Sequence, residues 1–391
     1  MSRTGEGHPV VALHLSYFTE NFGDLLLFDF YRRWIRELVP GAAVVAPAAP
    51  PEVHRWLGAD ATGWRAAARA GAFVYGGGGY FGPVNDGARR WATRNLGRHV
   101  PTGALARVLG RPLTVNGVGV GTVSSPAYRR AVTAIFRAAR QATVRDEESL
   151  GQLVSWGLDP ASIRATADAV LTLEPGDIPA EARAEAAADL DREPGVRLIG
   201  VHLPARAPEH EAGVLGMCEA LALADPAIRF VVMRDTHPGA TGPPGGSLGA
   251  AVLRRFGRRA AFVVYRSPWQ LAAVIALLDG VITSQLHVGI VALACGRPAL
   301  SLAEHPKTVR LYRQLGSPWR TVRLGESAGV DLPGLAVRAL LEPSGVLVPP
   351  GVRAAAAENR TRLGRFLAEA WPASADVGIL RASPRPRASF E

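Results

Sequence analysis

The stretch FVYGGGGYFG, Phe73–Gly82, places four consecutive glycines directly after a short apolar run. The apolar run predicts a buried strand, and the glycines begin where that strand ends. Because glycine has no side chain, successive backbone N–H groups at such a position can approach an anion closely and form a binding nest. No Lys-Ser or Lys-Thr pair follows, so this is not a Walker motif. The alternative interpretation is a tight turn between a strand and a helix.

Apolar segments that alternate with helical ones surround this stretch in both halves of the chain. They are VVALHLS, GAFVYGG and PLTVNGVGVG in the first half, and VRLIGVHL, IRFVVMRD and GVITSQ in the second. Unbroken apolar strands between helices are typical of parallel sheets that are covered on both faces. We therefore predict an α/β protein with two doubly wound, Rossmann-like domains facing a central cleft. Ligands of such sheets bind beyond the carboxyl ends of the strands.

An acidic, alanine-rich segment bounded by Pro-Gly pairs interrupts this alternation and predicts a linker. We predict an N-terminal domain over residues 1–175, a linker over 176–195 and a C-terminal domain over 196–345. A C-terminal helix over 346–372 crosses back to the first domain by analogy with other two-domain folds. The tail, residues 373–391, is predicted to be disordered.

The composition favours a small anionic ligand over nucleic acid. The chain has 391 residues and a net charge of +10, and Lys307 is its only lysine. The arginines are scattered, with no basic segment interleaved with aromatic residues of the kind that binds RNA. Scattered arginines suit an anionic substrate and, if the acceptor is carried on a lipid, peripheral contact with an anionic membrane surface.

The cysteines and the N-terminus predict a cytoplasmic protein. Cys218 and Cys295 lie in apolar segments, so we predict that they are buried thiols and do not form a disulfide framework. The N-terminus does not resemble a signal peptide, and no apolar run is long enough to span a bilayer. Histidines and cysteines do not cluster at ligand spacing, so we expect no metal.

Polar residues at the predicted strand ends are the candidate site. Asn21 and Asp24 flank the start of a helix, where either could bind a ligand or cap the helix. Arg145 could hold a carboxylate or phosphate, or pair with its acidic neighbours. His287 begins a helix after a strand, where a histidine can transfer protons or bind an anion, although a lone histidine is often structural. The remaining strand-end candidates are Asn116, Asp168, Ser284, Gln285, Glu304 and Lys307.

Five segments, taken in order, resemble the polysaccharide pyruvyl transferase family. They are ENFGDLLL, VYGGGGYFG, VNGVGVG, ATVRDEESLGQLVSWG with the later ADAV, and SQLHVGIVALACGRPALSL with Lys307. The resemblance implies a fold similar to the two-domain B-type glycosyltransferases. It also implies that phosphoenolpyruvate, the donor substrate, gives its pyruvyl group to two hydroxyls of a sugar, forming a cyclic ketal and releasing phosphate. No further cofactor is implied.

The reaction that the resemblance implies gives each candidate site residue an expected role. His287 is expected to act as the acid/base, and Arg145 to hold the anionic groups of the donor. The other donor-binding candidates are Gly77, Gly78, Gly79, Ser284, Gln285 and Lys307. The acceptor-binding candidates are Asn21, Asp24 and Asn116.

The sequence departs from the family pattern at two positions. Gln285 stands where family members usually carry an arginine before the Leu-His pair, and Leu25 replaces an acidic residue. A neutral amide binds phosphate less strongly than an arginine does. Lys307 or Arg234 could supply the missing charge; alternatively, the donor has changed or the enzyme adds an enolpyruvyl group.

Two other functions fit the same architecture. One is a glycosyltransferase that uses a nucleotide sugar, with Glu304 holding the ribose. The other is a non-catalytic binding protein, in which Gln285 marks a lost activity. The retained glycine run, Arg145 and His287 argue against such a loss.

Overall fold

The computed structural model describes residues 8–82, 89–203, 208–243, 245–327, 329–342 and 345–372. The chain divides into two compact units, each built on one sheet. Unit 1 comprises Met1–Ser16, Phe28–Thr166 and Ala357–Glu391, and unit 2 comprises Tyr17–Leu27 and Ala167–Ala356. The predicted disordered tail, residues 373–391, lies outside the described residues.

The sheet of unit 1 is parallel throughout, in the order β3-β2-β1-β4-β6-β7-β8, with β5 paired to β6. Its strands are β1 (Val10–His14), β2 (Ala43–Ala46), β3 (Ala61–Thr62), β4 (Ala72–Tyr75), β5 (Gly78–Phe81), β6 (Leu113–Val120), β7 (Gln141–Val144) and β8 (Ile163–Ala165). All eight residues of β6 are buried, as expected for a strand with helices on both faces. The helices in the first part of the chain are α1 (Phe22–Leu38), whose first turns belong to unit 2, and α2 (His54–Leu57), α3 (Trp64–Ala67), α4 (Arg89–Val108), α5 (Pro126–Ala138) and α6 (Glu147–Ser155).

The sheet of unit 2 is also parallel, in the order β11-β10-β9-β12-β13-β14. Its strands are β9 (Arg197–His202), β10 (Ile228–Val232), β11 (Ala260–Phe262), β12 (Gly280–Thr283), β13 (Ala299–Ala303) and β14 (Thr321–Arg323). The remaining helices are α7 (Ala180–Leu190), α8 (Pro208–Ala224), α9 (Leu248–Phe256), α10 (Pro268–Leu277), α11 (Leu286–Ala294), α12 (Pro306–Gln314), α13 (Leu332–Leu340) and α14 (Pro350–Ala370). The prediction of two parallel-sheet α/β domains is confirmed.

The glycine run connects two strands, so the alternative of a strand-to-helix turn is wrong. Strand β4 ends at Tyr75, and β5 begins only three residues later at Gly78. Gly78 has φ = 119°, a conformation that residues with a side chain rarely adopt. The glycines thus let the chain re-enter the same sheet beside β6 instead of leaving for a helix.

The predicted linker, residues 176–195, contains a helix that packs within unit 2. Helix α7 lies against α10. Its Asp189 accepts a hydrogen bond from Gln270 Nε2 at 2.8 Å and pairs with Arg266. Unit 2 also contains Cys218 and Cys295, and both are free, buried thiols as predicted. Within the described residues, no helix is long and apolar enough to cross a membrane.

Asn359 is a buried residue that ties the C-terminal part of helix α14 to the strands of unit 1. Its backbone oxygen accepts a hydrogen bond from Asn116 Nδ2 at 3.0 Å. Its side-chain oxygen accepts hydrogen bonds from Thr143 Oγ1 at 2.8 Å and Thr166 Oγ1 at 3.0 Å. These bonds satisfy polar groups of β6, β7 and the segment after β8, where unpaired groups would be costly.

A buried histidine pair joins the end of β1 to helix α4. His14 Nε2 lies 2.9 Å from His99 Nδ1, and His14 Nδ1 lies 3.1 Å from Thr102 Oγ1. Burial, and then His99, hold the pKa of His14 well below its usual value. Burial, and then Arg98, lower the pKa of His99 to about 3. Both imidazoles are therefore neutral in the folded protein near pH 7.

We expect acid to weaken the fold through this pair. In the unfolded chain a histidine titrates at about 6.5. Because the folded pKa values are lower, the unfolded state binds more protons, and the free energy of unfolding falls as the pH drops from about 6.5 towards 3. Urea unfolding across this interval measures the slope. The variant His99→Gln should show a shallower slope, and equal slopes in the two proteins would contradict the assignment.

Candidate functional site

The carboxyl edge of the unit 2 sheet gathers polar side chains. His202 ends β9 and Thr283 ends β12, and these two residues are register partners in neighbouring strands. Strand β10 lies on the other side of β9. The strand order therefore reverses between β9 and β12, and this is where doubly wound sheets bind ligands.

Buried polar atoms without a hydrogen-bond partner concentrate at this edge. Among the described residues there are six such side-chain atoms, and all six lie in unit 2. Five follow or end strands β9, β11, β12 and β13, and the sixth, Thr321 Oγ1, begins β14. The five are His202 Nε2, which does lie 3.3 Å from the Asp235 carboxylate, and Tyr265 OH, Ser284 Oγ, His287 Nε2 and His305 Nδ1. Because buried polar groups normally have partners, this concentration indicates a ligand-binding edge.

His287 lies in the first turn of α11, next to two elements of unit 2. Its side chain is 11% exposed, and its Nε2 lies 3.7 Å from Asp168 Oδ2, beyond hydrogen-bond distance. The other side of the ring meets helix α1: a Cβ atom added to Gly23 would lie 2.6 Å from His287 Cβ and closer still to Nδ1. Gly23 is therefore required where the turn of α1 touches the imidazole.

Asn21 caps helix α1, which was one of the two roles that the sequence left open. Its Oδ1 accepts hydrogen bonds from Gly23 N at 3.0 Å and Asp24 N at 3.3 Å. Its Nδ2 donates to Asp235 Oδ2 at 2.9 Å. Asp24 lies in the same first turn and is half-buried. The predicted acceptor contacts of both residues stay a prediction.

Ser284 and Gln285 lie between β12 and α11. Ser284 is 4% exposed. Gln285 N donates to Thr283 Oγ1 at 3.0 Å, while the Gln285 side chain makes no capping bond to α11. The first turn of α11 therefore keeps the N–H groups and partial positive charge that attract anions.

The next strand end carries Glu304, His305 and Lys307. His305 precedes α12, and its side chain does not cap that helix. Burial, and then the charge of Lys307, lower the pKa of His305, while Glu304 opposes the shift. Arg234, a candidate for replacing the missing arginine, uses its guanidinium to bind the carbonyls of Thr236 and Gly242 in its own loop.

Sequence reasoning missed His202 and Asp235. Each is a polar residue at the end of a predicted strand segment, VRLIGVHL for His202 and IRFVVMRD for Asp235, and that position was the available signal. Asp235 is 4% exposed, and its Oδ1 lies 3.3 Å from His202 Nε2. Among the described residues, no group of three or more His, Cys, Asp or Glu side chains could hold a metal ion.

Arg145 of unit 1 occupies a slot made by two glycines. It follows β7, and its side chain is 7% exposed. Its Nε lies 3.7 Å from Asp146 Oδ2, and Asp146 Oδ1 caps α6 by accepting from Ser149 N at 2.7 Å. A Cβ atom added to Gly119 would lie 2.6 Å from Arg145 Nε, and one added to Gly79 would lie 2.9 Å from Nη2. The glycine motifs therefore make room for a guanidinium.

The other unit 1 candidates differ in their surroundings. Gly77 lies between β4 and β5, whereas Gly78 and Gly79 are the first two residues of β5, which pairs with β6. Asn116 is 1% exposed and binds Asn359 through Nδ2, and Tyr31 OH through Oδ1 at 2.8 Å. These bonds give Asn116 a packing role, and its predicted acceptor contact stays a prediction.

Solved structures with the same fold include UDP-GlcNAc 2-epimerases and Anabaena HepE, some of them bound to a uridine nucleotide. The UDP-GlcNAc 2-epimerase of Neisseria meningitidis, bound to UDP-GlcNAc, has 11% identity and a TM-score of 0.58, with 92% of this chain and 100% of that chain covered. The epimerase of Methanocaldococcus jannaschii has 10% identity, a TM-score of 0.58 and coverage of 93% and 100%. Anabaena HepE with UDP-glucose has 13% identity, a TM-score of 0.52 and coverage of 93% and 99%. At such identities the likeness shows the fold, which is of the B-type glycosyltransferase class.

The model of the family described as polysaccharide pyruvyl transferase matches residues 21–213. The resemblance indicated by the motifs is thereby confirmed: this range of the chain is similar to the polysaccharide pyruvyl transferase family. The match includes Asn21, the glycine run and Arg145, and it ends before Ser284. No curated protein matches the chain.

Replacing Gly23 by alanine should displace His287 or the first turn of α1. Since the added Cβ would overlap the imidazole, we expect a loss of about 1–3 kcal/mol in the free energy of unfolding, measured in urea. Gly216→Ala is the matched control, because Gly216 also lies in a helix of unit 2 and its added Cβ would meet only Pro333 Cγ at 3.5 Å. Equal unfolding midpoints for Gly23→Ala and wild type would contradict the contact.

Gly119→Ala should be similarly costly in unit 1, since the buried guanidinium of Arg145 must move away from the new methyl group. We expect about 1–3 kcal/mol of destabilisation in urea unfolding. The control is Gly151→Ala, because Gly151 lies in α6 with nothing within 4 Å of an added Cβ. That substitution should raise stability by about 0.5–1 kcal/mol. A Gly119→Ala variant as stable as wild type would mean that the Arg145 side chain does not require the space that Gly119 leaves.

Proposed function

We propose that the protein transfers a pyruvyl group from phosphoenolpyruvate to two hydroxyls of a saccharide, forming a cyclic ketal and releasing phosphate. The observation that carries the proposal is the buried His287, whose Nε2 lacks a hydrogen-bond partner at the carboxyl edge of the unit 2 sheet. The family description supports a transferase with a polysaccharide substrate. The phosphoenolpyruvate donor and the ketal product are the finer part of the proposal.

His287 is the proposed acid/base. The reaction begins when a proton is added to the methylene carbon of the donor, which leaves positive charge on the carbon that bears the phosphate. One acceptor hydroxyl attacks that carbon, phosphate leaves, and a second hydroxyl of the same sugar closes the ketal. The two hydroxyl protons end on the new methyl group and on phosphate, so the equation balances. A histidine suits both directions of proton transfer near neutral pH.

The anionic groups of the donor require cations and N–H donors. The Arg145 guanidinium has the shape to hold a carboxylate or a phosphate through two parallel hydrogen bonds. The first turn of α11 offers N–H groups, and the Ser284 hydroxyl precedes that turn without a partner of its own among the described residues. Gly77–Gly79 and Lys307 stay donor-side proposals, and Asn21 and Asp24 stay acceptor-side proposals.

A nucleotide sugar is the second candidate for the donor. Two of the structures with the same fold contain UDP-GlcNAc or UDP-glucose, and this observation favours testing that class directly. In this alternative, Glu304 would hold the ribose. Both candidates take a sugar or saccharide substrate.

Thermal unfolding with each donor class separates the candidates. At 100 times its dissociation constant, phosphoenolpyruvate should stabilise the fold by about 2.7 kcal/mol. Arg145→Ala should lose this stabilisation, whereas Arg130→Ala, which removes an exposed arginine from α5 of the same unit, should keep it. Stabilisation by UDP or UDP-glucose alone would overturn the phosphoenolpyruvate donor in favour of the nucleotide sugar.

His287→Gln tests the acid/base assignment separately from binding. The variant should still be stabilised by phosphoenolpyruvate, because the amide leaves the donor-binding groups in place. Its release of phosphate in the presence of saccharide acceptors should fall by a factor of about 100 to 10,000. Unchanged phosphate release would remove His287 from the chemistry.

A further inference from the structure

Asp235 is a buried, charged residue that the proposed chemistry does not use. It follows β10, and its side chain has a relative exposure of 4%. Burial raises the pKa of its carboxyl, but His202, the backbone and Asn21 together lower it by more, so the pKa lies below its ordinary value. The group is thus a carboxylate, and a buried carboxylate must be held by close partners.

The partners of Asp235 come from two directions within unit 2. On one side, its Oδ2 accepts from Asn21 Nδ2 at 2.9 Å, and its backbone oxygen accepts from Phe22 N at 2.8 Å. Asn21 and Asp235 are 214 positions apart in the sequence. On the other side, its Oδ1 lies 3.3 Å from His202 Nε2, and His202 Nδ1 lies 3.4 Å from Thr283 Oγ1. One aspartate therefore ties the start of α1 to the strand ends of the sheet.

Asn21 extends this tie to the turn that touches His287. Its nitrogen end donates to Asp235, so its oxygen end is left to accept from Gly23 N and Asp24 N. Gly23 in turn lies so close to the imidazole of His287 that no side chain fits between them. A displacement of Asn21 would therefore move the surface against which the ring rests.

We propose that Asp235 is a positioning residue, which holds the first turn of α1 against His287 through Asn21 and so fixes the orientation of the imidazole. The catalytic consequence rests on the proposed function, whereas the positioning itself is a property of the folded protein. Small errors in the placement of a reacting group are costly: about 1 Å can lower a rate 100-fold.

Two substitutions distinguish this tie from ordinary helix capping. Asn21→Ser keeps a good N-cap oxygen but loses the amide that donates to Asp235. Asp235→Asn keeps the shape of the side chain but replaces a charge-assisted hydrogen bond by a neutral one. Asp225→Asn is the matched control, because Asp225 of unit 2 also combines an ion pair, with Arg197, and a backbone bond, from Ala227 N.

The first readout is the imidazole NMR spectrum of the full chain. The protein has nine histidines, so the His287 signals are identified as those missing from His287→Gln. We expect Asn21→Ser and Asp235→Asn to shift or broaden the His287 signals, and Asp225→Asn to leave them unchanged. If both variants fold and their His287 signals coincide with those of wild type, the positioning role is overturned.

The second readout is the kinetics of phosphate release from phosphoenolpyruvate. Both variants should lower kcat by a factor of about 100 with little change in KM, because the donor-binding groups are untouched. If the His287 signals respond but wild type releases no phosphate with any acceptor, the proposed function fails and the positioning stands. If wild type is active and both variants keep its kcat, the tie is structural only and the proposal is wrong.

Discussion

Parallel pairing of the strands is the constraint on which the candidate site depends. It brings the carboxyl ends of all strands to one edge of each sheet, so the polar residues that end neighbouring strands must meet there under helices. The two units differ in how the polar residues at this edge are hydrogen-bonded. In unit 1, the register partners His14 and Tyr75 bind groups of α4, including His99 and Thr102. In unit 2, the register partners are His202 and Thr283, and the atoms around them keep unsatisfied hydrogen-bonding capacity.

This contrast separates histidines that stabilise a fold from those that can serve chemistry. His14 is fully buried, and both of its ring nitrogens lie within hydrogen-bond distance of partners in the same unit. His287 lies in a similar junction between strand and helix, but its Nε2 has no such partner among the described residues. A sequence shows both as polar residues near apolar strands. Only the hydrogen bonds that the two side chains make in the folded protein distinguish them.

The sequence predicted the strands and helices because burial on both faces of a parallel sheet leaves unbroken apolar runs, as in Val10–His14 and Gly280–Thr283. It did not predict β5, because a short segment of two glycines and two aromatics carries no periodicity. It placed Asn21 at a helix start but could not show its bond to Asp235, which is 214 residues away. Likewise, it indicated Asn116 as an acceptor-binding candidate but could not show its bond to Asn359. Contacts between distant segments are what a local pattern cannot report.

Gln285 acquires a specific meaning from its position. It is the residue before α11, its backbone N–H is bound to Thr283 Oγ1, and its side chain caps nothing. An arginine here, as the family resemblance implies, would add a full positive charge beside a helix end that already carries about half a charge. With glutamine, the N–H groups of that turn and the Ser284 hydroxyl remain. In the proposed donor site, glutamine would therefore remove the strongest attraction for an anion, and anion affinity would depend on the helix end and on a cation from another residue, for which Lys307 is the proposed candidate.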